Sequence, residues 1–125
     1  KADDAALWRG PMLGKAFHQL SRGTNWVRGQ QPLETILLLD LPPGTGDVHL
    51  SMMQQLPVDA ALLVTTPQGV AVDDARKCAS MFQKLGIPIL GVVENMAYFT
   101  DPAGGRHALF GSGGGQFLAD GLAVP

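Results

Sequence analysis

DAALLVTTPQGVAVDDARKCASMFQKLGIPILGVVEN, residues 59–95, decides the fold. Its two apolar runs, 59–66 and 87–95, are continuous and do not alternate polar with apolar residues. That pattern predicts strands covered on both faces, as in a parallel sheet. Between them Ala71, Ala75, Cys78, Phe82 and Leu85 recur at steps of four and three, the stripe of an amphipathic helix, and Gly86 suits its C-terminal cap. A strand, a helix and a strand in this order predict a right-handed parallel crossover.

Working outward, TILLLD (35–40) reads as a third strand of the same continuous kind. Helices are expected over 11–20, with Pro11 tolerated in the first turn, over about 48–56, and over about 115–120. Residues 21–34 read as a connecting loop and 100–115, with their glycine cluster, as a longer mobile one. The sum is an α/β domain with a parallel sheet and helical crossovers. No internal repeat is present.

Bulk composition narrows the function classes. The chain has 125 residues, 46% hydrophobic and 16% charged, which suits one globular domain with a real core. A net charge of −2 leaves no basic footprint for nucleic acid or an anionic membrane. No apolar run reaches the roughly 20 residues that cross a bilayer. The charged, polar start at Lys1 is not the beginning of a signal peptide, and the single Cys78 excludes an internal disulfide and fits a reducing, cytoplasmic compartment. The absence of an initial Met and the apolar ending GLAVP suggest a piece of a longer protein.

In parallel α/β sheets, ligands bind beyond the carboxyl ends of the strands. After the first run come Asp40, Pro42, Pro43, Gly44, Gly46 and Asp47. A carboxylate there can hold Mg²⁺, directly or through water, and glycine amides can approach a phosphate. The same residues also describe a proline turn with Asp47 capping the next helix. After the second run come Thr66, Pro67 and Gln68; after the third come Glu94, Asn95 and Met96. An Asn amide offers both donor and acceptor to a purine edge, or it closes a turn.

Five blocks occur in one order: WRGPM (8–12), LLLDLPPGTGD (37–47), VTTPQGVAVDDARK (64–77), GVVENMAYF (91–99) and FGSGGGQFLA (110–119). Together they resemble the Mrp/ApbC family of iron–sulfur cluster carrier ATPases, deviant P-loop proteins related to the MinD and ParA ATPases. The resemblance covers nearly the whole chain. It implies a MinD-like P-loop NTPase fold, ATP and Mg²⁺ as cofactors, a homodimer, and apo iron–sulfur proteins as recipients. Asp40 then matches the Walker B type carboxylate that organises Mg²⁺ through water, and Pro42, Pro43 and Gly44 match the switch that senses the γ-phosphate. Asn95 matches the adenine-contacting Asn, Pro67 and Gln68 lie near the nucleotide, and residues 8–12 match a responsive segment near the subunit contact. The competing reading is a MinD/ParA-like regulatory or scaffold ATPase that binds no cluster.

The sequence departs from the family pattern in two places. The GKGGVGKS-like phosphate loop and the acid that positions the attacking water are absent from these 125 residues. The chain is therefore expected to be a partial P-loop domain, lacking the phosphate-loop strand and the final strands. Alone it should be poorly folded, with a gap at the centre of its sheet, and inactive as an ATPase. Many relatives also carry Cys-Pro-x-Cys-Gly after the Asn-Met block, where this chain has DPAGG, with Asp101 and Gly104 at the usual Cys positions. Asp101 and His107 offer O and N donors on what reads as a solvated loop. Cys78 lies on the apolar helix stripe as a structural thiol, and His18 and His49 fall within helices.

Overall fold

The computed structural model describes residues 10–26, 35–41 and 47–125. The chain divides into two compact units, Lys1–Pro57 and Val58–Pro125.

In the first unit, α1 (Gly10–Gly23) packs against α2 (Asp47–Gln55), and His49, Met52 and Met53 are buried. The C-terminal end of α1 is closed by side chains: the Ser21 hydroxyl donates to the His18 carbonyl at 3.2 Å, and the Trp26 indole N–H to the Ser21 carbonyl at 2.9 Å. Arg22 in the last turn complements the helix dipole. His18 and His49 do lie in helices, as the sequence predicts.

The run 35–40 is not a strand. It has no ladder partner among the described residues, and Ile36 and Leu38 are 86% and 87% exposed. The apolar run supplies strand propensity, but a strand exists only when a neighbour takes its backbone hydrogen bonds.

The second unit is built on the predicted crossover. Strand β1 (Ala61–Thr65) pairs in parallel with β2 (Ile89–Glu94), matching Leu63 to Val92 and Thr65 to Glu94, with an irregularity between Ala61 and Leu62. Helix α3 (Gly69–Lys84) connects them. It ends as Gly86 predicts: Gly86 sits at φ +69° and donates to the Gln83 carbonyl, while Ile87 donates to that of Phe82. These two bonds make a Schellman cap. The buried face of α3 is Val72, Ala75, Ala79, Met81 and Phe82, so the stripe is rotated from the predicted one; Ala71, Cys78 and Leu85 flank it half-buried.

Helix α4 (Gly114–Leu122) contacts β2 and α3 and buries Leu118 and Ala119. After it, the Pro125 carbonyl accepts the Val92 N–H at 2.8 Å beside β2. Only one face of the β1–β2 pair is covered by the described residues. Ala61, Leu63 and Thr65 are buried, whereas Leu62 and Val64 stay 57% and 60% exposed. Two covered faces were the expectation from the continuous runs, and this pair shows one.

The predicted mobile loop 100–115 contains a short antiparallel hairpin, β3 (Phe99–Thr100) with β4 (Arg106–His107). Among the described residues, no helix is long and apolar enough to cross a membrane.

Candidate functional site: the strand-end rim of the second unit

Parallel pairing brings the carboxyl ends of β1 and β2 side by side, so Thr66, Pro67 and Gln68 stand next to Glu94, Asn95 and Met96. One backbone bond ties the two ends, the Asn95 N–H donating to the Thr65 carbonyl at 2.7 Å. Pro67 is buried, Gln68 and Asn95 are exposed. Gln68 is the N-cap of α3 in an extended conformation, and its side chain makes no cap hydrogen bond. Its carbonyl instead accepts the Val72 N–H at 3.1 Å, leaving the amide side chain available at the rim.

Asn95 is fixed by the turn that follows it. Its Oδ1 accepts the Met96 N–H at 2.9 Å, and Met96 itself adopts φ +55°, a left-handed conformation that a side chain other than glycine takes at a cost. With the amide oxygen engaged, the exposed Nδ2 is the group Asn95 presents as a donor. That suits an acceptor on a purine edge.

A third element closes on this rim. The start of α4 carries Gly113 at φ +78° as its N-cap, with no side-chain cap. The Glu94 carboxylate fills that role, accepting the Gly115 N–H at 2.5 Å. Gly114 and Gly115 are required there. A Cβ on Gly114 would fall inside the van der Waals shell of the Pro67 carbonyl oxygen, and one on Gly115 would lie 2.7 Å from Glu94 Cβ. Beside this junction is a concavity of about 340 Å³ lined by Pro67, Val72, Arg76, Ser112 and Phe117. Its Arg76 guanidinium lies 5.5 Å from the Phe117 ring centroid and 3.4 Å from Asp73. The sequence names Glu94 without a role, because its partner is 21 residues away.

The other predicted site residues divide. Asp40 lies in the first unit with an exposed carboxylate, chemically suited to a hard cation. Pro42, Pro43 and Gly44 lie outside the described residues, as do Trp8 and Arg9 of the segment 8–12.

Asp101 and Gly104 belong to the hairpin, which is solvated, as the sequence predicts, but also internally hydrogen-bonded. Asp101 Oδ1 accepts the N–H groups of Ala103 and Gly105 at 2.9 and 2.8 Å, and Oδ2 pairs with His107 Nε2 at 2.7 Å. The His107 bond first, and the Gly105 amide next, hold the Asp101 carboxyl below its ordinary value. Gly104 sits at φ +86°, where an L side chain is strained, and Arg106 stacks 4.2 Å over the Tyr98 ring. Both Asp101 oxygens thus take part in holding the hairpin together.

Cys78 is half-buried on α3, and burial, with Asp74 adding, pushes its thiol above the ordinary value. That is the environment of an inert thiol. Among the described residues no three His, Cys, Asp or Glu side chains cluster as a metal site.

Comparison with known proteins shows the family. The family model described as NUBPL iron-transfer P-loop NTPase, of the ParA group, matches residues 1–125. The iron–sulfur cluster carrier protein of Salmonella typhimurium is 45% identical over 119 residues, covering 94% of this chain and 31% of that protein. The iron–sulfur cluster transfer protein NUBPL of Dictyostelium discoideum is 42% identical over 123 residues, covering 98% and 36%. Among solved structures, a nucleotide-binding protein in complex with ADP from Archaeoglobus fulgidus superposes with a TM-score of 0.60 at 41% identity, covering 68% of this chain and 35% of that one. The chain therefore spans about a third of the length of these relatives.

Proposed function

Because this chain belongs to the NUBPL iron-transfer P-loop NTPase family, we propose that it supplies one part of the nucleotide site of an ATP-dependent iron–sulfur cluster carrier. The observation that carries this reading is the rim itself: Asn95, with Nδ2 left to donate, stands beside Pro67 and Gln68 at adjacent strand ends. It stands in a chain 41% identical to a protein solved with ADP.

In this reading residues 1–125 are part of a single P-loop domain whose phosphate loop lies elsewhere in the protein. Asn95 holds the adenine, Pro67 shapes the wall beside it, and Gln68 contributes a polar contact. Asp40 holds Mg²⁺ through water, and Pro42, Pro43 and Gly44 respond to the γ-phosphate. Mg²⁺, when bound, neutralises charge on the transferring phosphoryl group. The protein acts as a cytoplasmic homodimer, and the cluster is its cargo, passed to apo iron–sulfur proteins. This chain offers no thiolate set for that cargo, because clusters are held by several thiolates and it has one half-buried Cys.

Titration calorimetry of the full-length protein with ADP and Mg²⁺ tests the nucleotide half. Asn95→Ala should weaken binding about tenfold, the scale of one desolvated hydrogen bond. Unchanged affinity would remove Asn95 from the site. Anaerobic loading with iron and sulfide, followed by activation of an apo-protein, tests the carrier half, and a protein that neither loads nor activates is not a carrier.

A further inference from the structure

We propose that Glu94 is a positioning residue for the nucleotide rim, acting by clamping the start of α4 between the ends of β1 and β2. The inference rests on the nucleotide reading above and adds a residue and a mechanism to it.

Glu94 is the last residue of β2, and Asn95 follows it directly. Its carboxylate reaches across 21 residues of sequence to the Gly115 N–H, at an N-terminus that has no side-chain cap of its own. An anion accepting a free amide in the first turn of a helix gains from both the hydrogen bond and the dipole. The two glycines let backbone meet backbone at this point. Gly114 abuts the Pro67 carbonyl and lies against Val72, while Gly115 abuts the Glu94 side chain. The start of α4 is thus wedged between the residue before Gln68 and the residue before Asn95.

Asn95 is already held by its N–H on Thr65 and by Oδ1 on Met96. The first bond ties the strand ends and the second sets the Asn95 rotamer; Glu94 adds a further tie, running from the end of β2 through Gly115 and Gly114 to the wall at Pro67. With its carboxylate removed, the first turn of α4 loses its acceptor and the turn at Asn95 and Met96 loses its backing. The effect falls on the base, not on the phosphates. It is therefore a loss of binding with little loss of turnover.

The test uses the full-length protein, with ATP and Mg²⁺ as the probe. Glu94→Ala should raise KM for ATP about tenfold with kcat within about twofold. Glu94→Gln, whose amide oxygen can still accept the Gly115 N–H, should return KM to near the parent value. Amide exchange at Gly115 should speed at least tenfold in the Ala variant and not in the Gln variant. If Glu94→Ala does not fold, Glu94→Asp replaces it: one methylene shorter, it keeps the charge but withdraws from Gly115, and KM should rise several-fold. A folded Ala or Asp variant with unchanged KM, or Ala and Gln variants that lose affinity alike, overturns the positioning role alone. A parent protein that binds no nucleotide overturns the function and this inference with it.

Discussion

A pair of glycine substitutions in one helix separates close packing from helix propensity. Gly114 and Gly121 both lie in α4. At Gly121 a Cβ meets nothing within 4 Å, so Gly121→Ala should stabilise by about 0.5–1 kcal/mol through the lost freedom of the unfolded chain. At Gly114 the same methyl would stand 2.8 Å from Val72 Cγ2 and closer still to the Pro67 carbonyl oxygen. Ordinary contact begins at 3.4 Å, a shortfall of about 0.6 Å against Val72 alone, and the carbonyl is backbone that cannot rotate away. Overpacking of this kind costs about 1–3 kcal/mol, which exceeds the propensity gain. Gly114→Ala should therefore lower stability by about 1–2 kcal/mol where Gly121→Ala raises it. Urea denaturation of the full-length variants, followed by circular dichroism, reads both signs. Only Gly114→Ala should also raise KM for ATP, because only it pushes on Pro67. Shifts of the same sign in the two variants would refute the wedge of α4 against the rim.

Further outcomes are expected elsewhere in the molecule. Asp40→Asn in the full-length protein should cut ATP hydrolysis by about 10²-fold while ADP still binds, as removal of transition-state charge stabilisation does; retained turnover would dismiss Asp40 as the Mg²⁺ carboxylate. The lowered Asp101 carboxyl contributes hairpin stability that is complete above its unfolded value and is lost as pH falls through the lower folded value. Amide protection at Asp101 and Gly105, whose N–H groups bond the Gly105 carbonyl and Asp101 Oδ1, should thus hold at pH 5 and fall in strong acid, and Asp101→Asn should abolish that transition; an Asn variant with the same acid transition would clear Asp101 of the role. The raised Cys78 thiol should react with a disulfide reagent at pH 8 at least ~10-fold more slowly than free cysteine, and Cys78→Ala should leave cluster loading unchanged. An isolated 1–125 polypeptide should melt without a cooperative transition; a sharp transition with native-like amide protection would contradict that.

The parts of the fold legible in the sequence are those whose signal is local. The crossover from β1 through α3 to β2 shows in 37 consecutive residues because apolar runs, helical spacing and a capping glycine all lie along the chain. The rotation of the α3 face to Val72, Ala79 and Met81 was not legible, since Ala71 and Cys78 are equally apolar and only the partner surface decides between them. The hairpin was hidden for a different reason. It depends on one carboxylate, Asp101, taking two backbone amides and an imidazole, and DPAGGRH reads as plain turn residues until that convergence is seen. At the site, Asn95, Pro67 and Gln68 were placed by the rule that ligands meet strand ends. Glu94 was missed because its partner belongs to another element, with no periodicity to announce it.

The first apolar run and the outer face of β1 report the same fact. Ile36 and Leu38, like Leu62 and Val64, have the composition of a two-face-buried strand and the exposure of a surface one. A side chain of this size gains about 1.5–3 kcal/mol on full burial. Four such side chains are thus comparable with the whole stability of a typical domain, about 5–15 kcal/mol. A sequence does not keep that pattern for solvent. The chain spans about a third of its relatives, and we attribute the uncovered apolar surface to contacts made by the remainder. The rim sits at the end of that half-covered sheet, so its rigidity is set partly by residues beyond it. For that reason the effects of Glu94, Gly114 and Asn95 on nucleotide binding have their proper measure in the full-length protein.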